Sequence, residues 1–341
     1  MIKRFNNYTN DLVFIDGMWK SGKSLLMPLI GRGENISISQ MNHHFEYICQ
    51  LNYLNLTSQE AASTLLQVYA DLGTYNSYIS REVNFRFHDD SGVWKNPKKL
   101  TYLKNLFRKD YGDISQEILN VDPKYNVMSH NIFPVSIPLI KAFGKRLKLI
   151  RIDRNPVYMM KSWSEFLVRL GKDPKIVQVC VGKSGDCPWW TLEEEEYLLL
   201  NPLEKALYSY IALKKLHRSI ESQKLFSNNT LLSISFEGFV LDPTFWVKQI
   251  CSFLGLENES ELINYLPKIN CPRNYLLEGI SKQKVKWSRD DLMNLERSYY
   301  KEKLSEIKSG VNIRLFEIFQ QEIKNYSFQY EFKRLMPWEE G

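Results

Sequence analysis

Cysteine is scarce in this chain, and so are the other marks of a specialised protein class. The five cysteines, Cys49, Cys180, Cys187, Cys251 and Cys271, are odd in number and contain no Cys-x-x-Cys pair. They indicate neither a zinc site nor a disulfide framework, and a reduced compartment is the simpler expectation. No stretch approaches the ~18 apolar residues of a membrane span, and no apolar signal region follows Met1. The expectation is a cytoplasmic protein without a membrane span, although a lumenal enzyme trimmed of its anchor would read the same. Internal repeats and low-complexity linkers are lacking too. The formal net charge of +6 over 341 residues is too dilute for a nucleic-acid binder, yet it suits an enzyme with anionic ligands.

What is present is 44% hydrophobic and 25% charged residues, the balance of a globular protein with a full core. Short β-rich apolar runs, Leu12 to Ile15, Asn126 to Ser129, Leu147 to Ile152 and Thr230 to Ser235, alternate with longer helical stretches. This alternation predicts an α/β fold, a three-layer sandwich around a central parallel sheet. Helix starts show as capping-box spacings at Thr57 with Glu60, Thr191 with Glu194 and Ser288 with Asp291, and as Asn201 followed by Pro202. The segment from about 70 to 120 mixes aromatic and basic residues, Tyr75, Arg81, Arg86, Trp94 and Lys95 among them, without a clear period. It reads as an insertion over the sheet's carboxyl edge, where open α/β sheets bind ligands. From about 285 the chain reads as a helical extension, packed on the domain or on a second copy as a homodimer.

Directly after the first apolar run comes Gly17-Met18-Trp19-Lys20-Ser21-Gly22-Lys23-Ser24, a complete P-loop pattern in its required strand-to-helix setting. The glycines let successive N–H groups turn inward, the following helix adds its positive end and the lysines add point charges. Such a loop cradles a phosphate-like group. Taken alone, it points to a P-loop kinase using Mg-ATP, with Lys23 and Ser24 as phosphate and metal ligands and Asp153 as the second metal contact. A Gly-rich turn with incidental lysines is the bland alternative.

Further segments shift the balance. The core Trp19-Lys20-Ser21-Gly22-Lys23-Ser24 resembles the Pro-Lys-Ser-Gly-Thr-Thr phosphosulfate loop of the sulfotransferases that use 3′-phosphoadenosine-5′-phosphosulfate (PAPS). Arg154-Asn155-Pro156, with Ser162 eight residues after Arg154, resembles that family's 3′-phosphate site. Arginine offers a planar fork for a phosphate and serine a hydroxyl donor. Met128-Ser129-His130, followed by Pro134, resembles the family's Lys-Thr-His-Leu-Pro segment. Phe236-Glu237-Gly238 with Asp242-Pro243, then Phe253-Leu254-Gly255-Leu256, resembles its Tyr-Glu-Asp-Leu, Asp-Pro and Phe-Leu-Gly-Leu signature.

The resemblance implies one sulfotransferase domain over 1–341, P-loop NTPase-like with helical insertions. It implies transfer of a sulfuryl group from PAPS to a hydroxyl of a small molecule or glycan, with PAP leaving and no metal. Lys20 and His130 are then the catalytic pair, the lysine neutralising charge on the bridging oxygen and the histidine accepting the acceptor's proton. Trp19, Ser21, Gly22, Lys23, Ser24 and Leu25 join Lys20 in the donor site, Arg154 and Ser162 hold the 3′-phosphate, and Phe236 neighbours the adenine. Leu25 departs from the stacking tryptophan of cytosolic members. Their carboxyl-terminal Arg-Lys-Gly segment has as candidate counterparts Cys271-Pro272-Arg273 and Ser281-Lys282-Gln283-Lys284. Some members use a glutamate as base. A non-catalytic sulfotransferase-like binder of nucleotide or glycan stays open beside the kinase.

Other groupings carry less. His43-His44 and His88-Asp89-Asp90 lack a third and fourth ligand at metal spacing and read as solvated loop. Trp189-Trp190 suits core packing or a lid hinge at least as well as sugar stacking. The aromatic and basic character of the insertion inclines the acceptor towards a glycan.

Overall fold

The computed structural model describes residues 4–5, 7–89, 91–109, 113–183, 185, 187–191, 194–276 and 289–331. Its central sheet has five parallel strands: β1 (Leu12–Asp16), β2 (Gln40–Met41), β3 (Tyr125–Met128), β4 (Leu147–Asp153) and β5 (Leu231–Ser235). Their order across the sheet is β2-β3-β1-β4-β5, with Leu12 paired to Tyr125 on one side and to Leu147 on the other. Residues alternate between the two faces of a strand, and both faces here are buried, as parallel sheets require. Leu12 and Phe14 join Leu147 and Leu149 in one core, while Val13 and Ile15 join Ile150 and Ile152 in the other.

Over the second core lies α1 (Lys23–Ile30), the helix that follows β1. The first core is covered by α2 (His43–Tyr53), α3 (Gln59–Tyr78), α4 (Ile137–Phe143), α5 (Met160–Arg169) and α6 (Pro202–Ser222). Returning to the second core, α7 (Phe236–Leu241), α8 (Pro243–Leu254) and α9 (Glu259–Tyr265) complete the layer begun by α1. The three-layer sandwich expected from the sequence is the fold observed. Two last helices, α10 (Arg289–Gly310) and α11 (Ile313–Gln329), send Tyr300, Ile307, Phe316, Phe319 and Ile323 into the first core. The terminal helices are thus part of the domain's own packing.

All four expected strands are present, β1 running one residue further to Asp16. The fifth, β2, spans only two residues, too few for alternation to show in sequence. Asn201 is the expected N-cap of α6 and also closes a capping box, accepting from the Leu203 and Glu204 N–H groups while Glu204 reaches back. At α3 the cap is Ser58, one residue after the expected Thr57, its hydroxyl accepting from Ala61 N–H. Ser288 lies outside the described residues. The 70–120 stretch opens inside α3, where Ala70 is core, so its aperiodic part starts only past Tyr78. Trp189 and Trp190 are each 1% exposed and serve packing. Among the described residues no helix is long and apolar enough to cross a membrane.

Phe319 is fully buried whereas Phe328 on the same helix is 90% exposed. Phe319→Ala should cost about 3–5 kcal/mol, and Phe328→Ala should stay within about 0.5 kcal/mol. Urea midpoints at constant m-value check both.

Candidate active site

Each strand delivers its next residues to the same carboxyl edge: the glycine loop after β1, His43 after β2, His130 after β3, Arg154 after β4 and Phe236 after β5. This is the edge at which parallel sheets present ligand-binding loops.

The loop is shaped from within. Lys23, 5% exposed, turns its ammonium back to donate to the carbonyls of Gly17 at 2.5 Å and Met18 at 2.7 Å. In a trans peptide C=O and N–H point oppositely, so the N–H groups of Met18 and Trp19 are directed away from Lys23. Burial lowers the Lys23 pKa to about 8 against the pull of Asp16 and Glu46. The sequence reading gave Lys23 to the bound phosphate; its contacts here are with the loop itself. Lys20 is exposed with φ 65°, and Ser24 is exposed at the start of α1. Ser21 is fully buried, with no hydrogen-bond partner for its hydroxyl among the described residues. Trp19 belongs to an aromatic cluster with Trp163, Phe166 and Trp190, and its carbonyl accepts from Trp163 Nε1 at 2.8 Å. Leu25 packs against the second core.

Gly22 has φ 103°, and a Cβ there would stand 2.2 Å from the Phe236 ring. A side chain at this position is excluded by conformation and by space. Phe236 thereby rests on the loop, with the Arg154 guanidinium 4.3 Å and that of Arg273 5.5 Å from its ring centre. Arg154 also donates to the Lys20 carbonyl at 3.1 Å, while its Nε is buried without a partner among the described residues. Burial lowers its pKa and Glu237 partly offsets this. Of the two candidate carboxyl-terminal segments, Arg273 is brought to the loop; Ser281 to Lys284 lie outside the described residues. Ser162 stands half-buried in the first turn of α5.

His130 is placed by a second clamp. Asp16, buried at the end of β1, accepts from the N–H groups of Ile132 and Phe133 and from the Ser129 hydroxyl. That fixes the turn carrying His130 beside the glycine loop. The carboxylate of Glu46, from α2, accepts from His130 N–H at 2.8 Å and lies 3.3 Å from His130 Nδ1 and 3.4 Å from His43 Nδ1. Burial would raise the Glu46 pKa, but the contacts with His130 and His43 outweigh it and hold the group below the usual carboxylate range. An ionised carboxylate only accepts, so Nδ1 of His130 carries the proton and Nε2 keeps its lone pair. Burial, then Lys23, lowers the His130 pKa, whereas contact with Glu46 raises that of His43. One ligand atom from each of His43, Glu46 and His130 lies within 4.8 Å of the others, so this is also where a metal ion could be held. The sequence reading missed Glu46, because only the two-residue β2 brings it beside β3.

Asp153 faces the other way. Its carboxylate accepts from Tyr330 OH at 2.6 Å and pairs with Arg151 at 3.4 Å and Lys214 at 3.9 Å. Despite burial, these partners hold its pKa far below the carboxylate range. The second metal contact of the kinase reading is thus already engaged.

A glycine loop closing on a helix start at this edge, with an imidazole and a guanidinium on the adjoining strands, defines an enzyme class that grips phosphate-like groups. Within that class the family follows from the sequence: the sulfotransferase domain model matches residues 13–312, and the chain belongs to that family. The resemblance read from the loop and the Arg154 segment holds at this level. Among solved structures, the chain is similar to the sulfotransferase domain from the curacin biosynthetic pathway (15% identity, 88% of this chain and 98% of that one, TM-score 0.44). It is also similar to the sulfotransferase domain of the Synechococcus PCC 7002 olefin synthase (13%, 87% and 97%, 0.43). A third is a mouse sulfotransferase complexed with PAP (13%, 94% and 89%, 0.32). No curated protein matches the chain.

Glu46→Gln removes the anion shared by the two imidazoles and should move both His43 and His130 to lower pKa. Histidine ring NMR titration reads this directly; an unchanged His130 would show that Glu46 does not tune it.

Proposed function

We propose that this enzyme transfers a sulfuryl group from PAPS to an acceptor hydroxyl, with PAP as the leaving group. The observation that carries the reading is the buried, unpartnered Arg154 Nε beside the Lys20 carbonyl, with Arg273 on the same Phe236 ring. Buried donors without acceptors are costly, and a phosphate oxygen would satisfy them. Two guanidinium groups next to a phosphate loop suit a donor with a separate phosphate on its ribose 3′ position, as PAPS has and ATP lacks. The buried Ser21 hydroxyl, also unpartnered, fits the phosphosulfate in the same way.

Bound PAPS supplies sulfur already activated on a phosphate, so that an acceptor oxygen can bond to it as the sulfur–oxygen bond to PAP breaks. His130 Nε2 takes the proton of the attacking hydroxyl, and Glu46 stabilises the imidazolium that forms. Lys20, exposed at the loop's crest, neutralises charge on the departing oxygen, helped by the loop N–H groups and the α1 terminus. Arg154, Arg273 and Ser162 hold the 3′-phosphate. Lys23 acts through the loop by keeping its carbonyls inward.

PAP at a hundred times its Kd should stabilise the chain by about 2.7 kcal/mol without metal; a thermal-shift preference for ADP with magnesium would sink the proposal. Lys20→Ala should lower kcat about 100-fold or more while PAP binding changes little, and Arg154→Ala should chiefly weaken PAP binding. Equal loss of PAP affinity in both variants would refute this division of roles.

A further inference from the structure

The largest question left by the donor site is what it sulfates, and the cavity next to it carries an answer. A cavity of about 740 Å³ opens beside β2 and α2, with His43 in its wall. The His43 ring stacks on that of His130, centroids 6.1 Å apart and planes 17° apart, and Glu46 contacts both. The cavity therefore reaches His43, one ring away from the proton-accepting His130, and its volume falls within the ~300–1,000 Å³ of small-molecule sites.

Its wall combines flat rings with neutral polar groups. His44 and Tyr69 stack at 4.6 Å and 16°. Tyr47 is pinned by donating its hydroxyl to the Val177 carbonyl, and both residues line the cavity. Gln40 and Asn84 are held by bonds to Ser77 and to Asp89 and Ser91. Ser39, 3% exposed, has a buried hydroxyl with no partner among the described residues. No lysine or arginine is among the described lining residues; Arg81, Arg86 and Lys95 of the basic stretch are not in the wall. The acidic groups at hand, Glu82 in the wall and Glu46 behind His43, would repel an anion. A carboxylated, phosphorylated or already sulfated acceptor would lose its hydration here with no lysine or arginine to answer its charge.

Resting on the sulfotransferase reading above, the geometry points to this cavity as the acceptor site and to its substrate as an uncharged hydroxylated ring compound, a neutral glycoside. Sugar faces lie against the tyrosine and histidine rings, and a hydroxyl bonds Ser39. The basic residues of the 70–120 stretch have no part in this; the glycan character rests on the rings and on the lack of lysine and arginine among the described lining residues.

The test uses the full chain and a matched pair of probes, p-nitrophenyl β-D-glucoside and p-nitrophenyl β-D-glucuronide, which differ only in CH2OH against carboxylate. Calorimetry with and without PAP reads binding, and mass spectrometry with PAPS reads sulfated product. The expected result is at least ten-fold tighter binding of the glucoside. Tyr69→Ala should weaken glucoside binding about ten-fold and Ser39→Ala about three-fold, both with PAP binding unchanged. Equal or tighter binding of the glucuronide, binding of neither probe, or indifference to both substitutions would overturn the assignment. Glucoside binding without any PAP binding would leave the cavity assignment standing and bring down the donor reading instead.

Discussion

The buried ammonium of Lys23 is the interaction on which the site depends. A cation taken out of water must find oxygen partners, and this one finds the Gly17 and Met18 carbonyls. By holding those oxygens inward it presents the adjoining N–H groups to whatever the loop grips. Its charge also acts on Asp16 and Glu46, the two carboxylates that position the rest. Asp16 ties the turn after β3 to β1, and Glu46 ties α2 to that turn. One side chain therefore links the glycine loop to the imidazole pair.

The parallel sheet makes this economy of parts available. All five strands end at one edge, and the loops leaving them are short enough to meet. Packing carries the stability while the edge carries the chemistry. The Arg151, Asp153 and Lys214 group shows the same division from the other side. It is a buried charge network between β4 and α6 that engages the Asp153 carboxylate from two sides. Two aspartates at neighbouring strand ends, Asp16 and Asp153, thus have opposite partners: backbone N–H groups for one, cationic side chains for the other.

Much of the strand-edge geometry was legible because local sequence patterns encode local shape. Gly22 must be glycine at φ 103° under Phe236, and that constraint appears in the sequence as the second glycine of the P-loop. Asn155 and Pro156 read as a helix start and behave as one, the Asn155 side chain accepting from Val157 N–H. His130 was legible as a polar residue at a strand end. Glu46 was not, because in sequence it is an acid in the first turn of a helix, a common and bland placement. Arg273 was only a guess, since no local pattern marks an arginine that reaches an aromatic ring some forty residues before it.

The sequence by itself determined the layer architecture, the loop and its family, because alternating apolar runs and a glycine pattern act within a few residues. The tertiary structure alone decided which way the charged groups face. Lys23 turns to the loop's carbonyls, Asp153 to a buried ion network, Glu46 to two histidines, and no lysine or arginine is among the described residues lining the cavity at His43. The reason is physical: a charge is steered by the partners that burial makes obligatory, and those partners come from strands and helices far apart along the chain.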